Sequence, residues 1–169
     1  MALNPIDQLC LNCGLCCDST LFADVELRAG DDPQRLAQLG LGLWKKTKTR
    51  QAFSQPCACF DGRLCQIYAD RPRRCGLFEC GILKRVQNGK MSPAAALKQI
   101  ASARTQAERV RKLLREAGQR DEQMALTHRY GEVMSAPMDL ARAGAADRRG
   151  ELMLAVSDLM QRLERDFLQ

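Results

Sequence analysis

Histidine is almost missing from this chain: there is one among 169 residues, His128. It stands on a polar stretch and reads as a surface or packing residue. Aromatic side chains are also scarce, at 5 %, with Trp44 the single tryptophan. No apolar run approaches the ~20 residues of a membrane-spanning helix. The opening MALNPIDQLC has no basic segment leading into an apolar one, so no secretory signal is expected. There is no HExxH, no phosphate-cradling glycine loop and no Ser, His and Asp set, which leaves hydrolase and nucleotide-binding readings without a site. There is no internal repeat. Cysteine is absent from residues 91–169 altogether.

All nine cysteines lie before residue 81. Cys10, Cys13, Cys16 and Cys17 spell CxxCxxCC, and Cys57, Cys59, Cys65, Cys75 and Cys80 follow. Neighbouring cysteines make poor disulfide partners, because a bridge needs Cα atoms about 4.4–6.8 Å apart with converging Cβ vectors. An odd total also counts against a disulfide framework. A cytoplasmic protein with clustered thiols is expected to use them for metal or redox chemistry. The CxxC step turns the backbone so that sulfurs face one centre, as in ferredoxin-type loops.

The formal charge of +6 would suggest an acidic partner such as nucleic acid. Eight thiolates holding two dications bring it to about +2, so the excess arginine offsets the sites and neither nucleic acid nor membrane is an expected partner.

Along the chain, Val25 to Arg28 alternates as a short extended segment. Asp32-Pro33 opens a helix through about Leu39, with Gly40 as its C-cap. Gly42 to Arg50 is a basic stretch read as a solvated loop whose Trp44 indole packs on the domain. Asp61-Gly62 marks a turn, and Asp70-Arg71-Pro72 breaks any helix before it. From Ser92-Pro93 a long helix runs to about Ala117 and ends at Gly118, with Leu97, Ile100, Ala107, Val110 and Leu114 as its apolar stripe. Asp121 is expected to cap a second helix through about Ser135, which Pro137 stops. A third spans about Asp147 to Phe167, burying Leu152, Val156, Leu159, Leu163 and Phe167.

Cys10, Cys13 and Cys16 can fill three corners of one centre. If residues 16 and 17 are extended, Cys17 points the other way and serves a second. With Cys57, Cys65, Cys75 and Cys80 the ligands number eight, enough for two four-thiolate centres. Spacing does not assign thiols to centres. Two zinc ions, one iron–sulfur cluster with a second ion, or one cluster with structural cysteines all remain open. Arg71 can donate hydrogen bonds to thiolate or sulfide sulfur, or cap a carbonyl beside Pro72. Tyr68 reads as a packing residue.

The run from 10 to 17, then Cys57 and Phe60, then GRLCQIYADRPRRCGLFEC at 62–80, resembles the YkgJ-type cysteine-cluster proteins, a zinc- or iron-chelating domain family. The matching positions are Cys10, Cys13, Gly14, Cys16, Cys17, Cys57, Phe60, Gly62, Cys65, Ile67, Tyr68, Arg71, Pro72, Cys75, Phe78 and Cys80. Cys59 stands where the family tends to have an apolar residue. Gly76 replaces a frequent arginine, for which Arg73 or Arg74 would substitute. The resemblance implies chelation of zinc or iron, and Cys10, Cys13, Cys16, Cys17, Cys57, Cys65, Cys75 and Cys80 are the candidate ligands; the three CxxC-spaced thiols lean toward iron, as a [4Fe–4S] cluster, with zinc close behind.

The fold expected is mainly α. A small irregular cysteine-rich domain at 1–90, stabilised by metal, precedes an α-helical hairpin or three-helix unit at 91–169. No catalytic residue is assigned. One alternative is a redox or metal sensor that binds a protein partner through its C-terminal helices. Another draws on a resemblance of the cysteine domain to part of the larger flagellin lysine methylases, although nothing in 91–169 looks like a methyl-donor site.

Overall fold

The computed structural model describes residues 5–138 and 144–169; residues 1–4 and 139–143, which fall inside the two expected regions, lie outside the described residues. Pro5 begins α1 (Pro5–Cys13), so Cys10 and Cys13 ride on a helix where the sequence suggested a loop. The helix ends at Gly14, which has φ +71°; a Cβ there would sit 2.7 Å from the Phe60 ring. Only glycine suits both the left-handed backbone and the close approach. The Gly14 carbonyl then accepts N–H bonds from Cys17 and Asp18 at 2.8 and 3.0 Å. Residues 14–17 therefore form a tight turn, so the condition of an extended Cys16–Cys17 pair is not met.

Three short strands follow: β1 (Asp24–Glu26), β2 (Leu43–Lys45) and β3 (Gln51–Ser54). They form an antiparallel sheet of order β1-β3-β2, with Val25 and Leu43 both opposite Phe53. The basic 42–50 stretch is thus partly a strand. Trp44 remains partly exposed, with its indole N–H donating to Ser54 Oγ at 3.1 Å, while Lys46 and Arg50 pair with Glu26. Between β1 and β2 lies α2 (Pro33–Gln38), where Asp32 Oδ1 accepts the amides of Gln34 and Arg35 as the sequence implies. Asp61 likewise holds its turn by accepting from Arg63 and Leu64. A 3₁₀ turn at Tyr68–Asp70 leads into α3 (Arg73–Leu77) and α4 (Gly81–Gln87).

The long helix α5 (Pro93–Glu116) starts where Ser92 Oγ accepts the Ala95 amide at 3.2 Å and ends before Gly118, at φ +94°. Its buried face is Ala96, Ile100, Ala103, Ala107, Val110, Leu113 and Leu114; Leu97, placed on that face by its spacing, is turned outward. The next helix, α6 (Leu126–Ser135), begins later than expected. Asp121 instead closes a turn, accepting the Gln123 amide at 3.0 Å, so its side chain competes with helix formation. Finally α7 (Ala145–Leu163) runs into a π turn at Glu164–Leu168. Its five expected core residues, Leu152 to Phe167, are buried. The protein is mainly α, and among the described residues no helix is long and apolar enough to cross a membrane.

Two apolar clusters organise the molecule. Leu9, Leu15, Ile82 and Leu83 join α5, α6 and α7 in a helical core, while Val25, Leu36, Leu41, Phe53 and Ile67 form a smaller core under the sheet. Gly81 locks the chain end onto the helical core. A Cβ there would come within 2.8 Å of the Asp166 and Gln169 carbonyl oxygens.

Candidate metal centre

The turn at 14–17 divides the thiols. Leu15, fully buried in the helical core, pins the turn from one side. Cys10, Cys13 and Cys80 pack against that core, whereas Cys17, Cys57, Cys65 and Cys75 pack with the sheet core. Apart from the sequence neighbours Cys16 and Cys17, which also reach each other, the electrostatics follow the same division. Cys16 lies within charge reach of Cys13, Cys17, Cys80 and Cys10, and Cys17 within reach of Cys65, Cys57 and Cys75. Two groups thus stand on either side of one peptide bond: Cys10, Cys13, Cys16 and Cys80, and Cys17, Cys57, Cys65 and Cys75. All eight line one cavity of about 410 Å³. Among the described residues, no three metal-ligating side chains already close on a single point.

Local structure sets each thiol. In the first group, α1 carries Cys10 and Cys13 three residues apart on one face. The Leu15 amide donates to the Cys13 sulfur. Cys80 is the N-cap of α4, its sulfur accepting the Leu83 amide at 3.5 Å. In the second group, the Cys57 amide donates to the Cys17 carbonyl at 2.8 Å, tying the two cysteine stretches together. Cys65 pairs with Phe60 across the Asp61-Gly62 turn, and Cys75 lies on α3. The Cys59 amide donates to the Cys57 sulfur. Backbone N–H groups aimed at sulfur favour the thiolate and suit a metal ligand.

Burial works the other way. It pushes the Cys13 and Cys75 thiols up to about 12 and Cys57 to about 11, and it raises Cys16 and Cys17 as well. Without a cation these thiols stay neutral at pH 7, and a bound cation must displace their protons.

Arg71 stands with the second group. Its guanidinium stacks 3.7 Å over the Tyr68 ring, and its charge opposes the effect of burial on Cys75. Arg74 borders the cavity, while Arg73 packs against Gly30 and its amide donates to Asp31. Cys59 is buried beside Cys57, but its thiol donates to the Leu39 carbonyl at 3.2 Å. Cys59 does not line the cavity on which the other eight thiols border. His128 lies on the exposed side of α6.

Asp18 and Arg111 carry no signal in the sequence, yet they hold the turn. Asp18 follows Cys17, and its charge reaches both Cys13 and Cys17. Arg111, on α5, meets Asp18 Oδ2 at 3.0 Å and donates to the Asp18 carbonyl and to Thr20 Oγ1 at 3.0 and 2.9 Å. One guanidinium therefore ties the segment between the thiol groups to the longest helix.

Eight soft sulfur donors, amides directed at them and a neighbouring guanidinium fit a thiolate-bound metal and define a metal-binding cysteine domain. The profile of one protein family matches residues 9–94, half of the chain. The chain belongs to that family, CxxCxxCC, described as "Putative zinc- or iron-chelating domain". No curated protein and no solved structure matches it.

Proposed function

We propose that the protein carries two four-thiolate metal centres, one on Cys10, Cys13, Cys16 and Cys80 and one on Cys17, Cys57, Cys65 and Cys75. The observation that carries this reading is the packing of Cys10, Cys13 and Cys80 on the helical core and of Cys17, Cys57, Cys65 and Cys75 with the sheet core. Iron in iron–sulfur form is the favoured occupant. The spacing of Cys10, Cys13 and Cys16 resembles that of iron–sulfur loops more than that of paired zinc knuckles, and thiolate softness alone suits both metals. The centres also stabilise the cysteine-rich half, on which the helices pack.

Anaerobic purification with metal and sulfide analysis and a visible spectrum tests this. A brown protein with acid-labile sulfide and cysteine-dependent absorbance is expected. A colourless protein carrying zinc overturns the iron–sulfur assignment, and a protein that takes up neither metal overturns the reading as a whole.

A second reading, a sensor that signals to a protein partner, draws support from the Arg111 bridge between the thiol turn and α5. It predicts that metal loss changes amide exchange in the helices; unchanged protection there would sink it. The methylase reading draws on nothing beyond the cysteine pattern.

A further inference from the structure

The cavity wall includes a buried polar group that the protein leaves unsatisfied. Gln55 is 2 % exposed, lines the same cavity as Cys17 and Cys57, and its Oε1 has no hydrogen-bond partner among the described residues. Two other buried side-chain atoms share that condition, Arg85 Nε and Arg129 Nε. Both belong to guanidiniums bonded through Nη2, to the Asp166 carbonyl at 3.0 Å and the Gln119 carbonyl at 3.1 Å. The Gln55 backbone is fixed, since its amide donates to the Ala23 carbonyl at 2.9 Å where β1 begins and β3 ends. The side chain is therefore held against the cavity two residues before Cys57.

A leucine would fill this position without stranding a polar atom, so the amide is a standing cost to the metal-free fold. Filling the cavity reverses the balance. Neutral thiols offer an amide only weak S–H donors, but four thiolates around a dication or an oxidised cluster carry a net charge of about −2 and are acceptors. An amide can turn over within the same shape and present N–H in place of oxygen. We propose that Gln55 is a positioning residue of the second centre, its amide donating N–H to a metal-bound sulfur when that centre is filled. This rests on the two-centre reading above.

Cobalt(II) added anaerobically to the metal-free full chain serves as the probe. The thiolate-to-cobalt absorption band, titrated against a competing chelator, gives the affinity of each centre, and thermal melting of the metal-free protein gives a second readout. Gln55→Leu is expected to raise the metal-free melting temperature by about 2–4 °C and to weaken cobalt binding at one centre by about tenfold or more, leaving the other unchanged. Gln55→Glu keeps the size but puts an acceptor against sulfur, so it should weaken that centre further. If Gln55→Leu lowers the metal-free melting temperature and cobalt affinity stays at the wild-type value, Gln55 is a packing residue and the inference is wrong. If the wild-type chain shows no thiolate-to-cobalt band and takes up neither zinc nor an iron–sulfur core, the two-centre reading fails and takes the inference with it. Two wild-type centres that Gln55→Leu and Gln55→Glu both leave unaltered would overturn the inference alone.

Discussion

The two thiol groups rest on very different foundations. Behind Cys10, Cys13 and Cys80 stands a core of eighteen buried apolar residues among those described; behind Cys17, Cys65 and Cys75 stands one of seven, two of them Cys57 and Cys59. Apolar burial supplies the main favourable term in folding, so the helical side has the means to hold its shape alone. The sheet side is too small for that, and its cysteines are themselves part of its core. Metal binding and folding free energy should therefore be nearly the same quantity on the sheet side and separable on the helical side.

Stripping the metal makes the largest test of that contrast. Amide exchange should rise throughout 24–77, while the central turns of α5 and α7 keep their protection. Equal loss in both regions would mean that the helical core also depends on the centres. Alkaline pH should come next in size. Six thiols, Cys59 among them, are held above their ordinary value of 9.0 by burial. Below pH 9 folded and unfolded chains both keep these protons. As pH rises from about 9 to 12 the unfolded chain releases them first, so stability of the metal-free protein must fall across that window. Thiolates already committed to metal have no such proton to lose, so the loaded protein should hold its denaturation midpoint over the same range. A metal-free midpoint that is flat between pH 8 and 11 would contradict the burial of these groups.

Much of the helical side was legible in the sequence. Ser92-Pro93 and Gly118 bracket α5 because cap, first-turn proline and left-handed glycine are local devices. The 3.6-residue period likewise picked out the buried face of α7. The sheet was mostly illegible, since strands of three and four residues carry too little periodicity to separate from loop. In the same way α1 was hidden because its cysteines read as a cluster loop. At the site, the eight cysteines announce themselves by type and spacing, but their division does not. It depends on which core each thiol packs against, and Cys80 reaches the first group only because α4 and the chain end pack on the helices. Gln55 and Arg111 are ordinary residues until tertiary structure brings them to the cavity and the turn.

Core truncations sharpen the comparison at a smaller scale. Leu152→Ala, in the helical core, should cost about 2–5 kcal/mol and leave metal content unchanged. Phe53→Ala removes the residue that faces both Val25 and Leu43, and should cost about 3–5 kcal/mol. Because the second group packs on that small core, it should also lose one centre's worth of metal. Denaturant unfolding paired with metal analysis distinguishes the two; full metal content in Phe53→Ala would show that the sheet core does not position its thiols.

The smallest effect should come from the Arg111–Asp18 bridge between the turn and α5. Arg111 and Asp18 are both largely buried, with side-chain exposures of 16 % and 23 %, and a charge-assisted hydrogen bond of this kind contributes about 1.5–3 kcal/mol. Arg111→Ala removes the partner of Asp18 and leaves an uncompensated carboxylate whose charge reaches both Cys13 and Cys17. Two negative charges side by side disfavour each other, so thiolates at both positions should become harder to form. The loss should therefore fall on both centres together, unlike Phe53→Ala, and metal titration of Arg111→Ala should show a parallel weakening of the two. Adding Asp18→Asn removes the stranded charge and should recover part of that affinity without restoring the tie to α5. If the double variant binds metal no better than Arg111→Ala, the guanidinium acts by geometry alone, holding the turn in place rather than neutralising the carboxylate between the thiol groups.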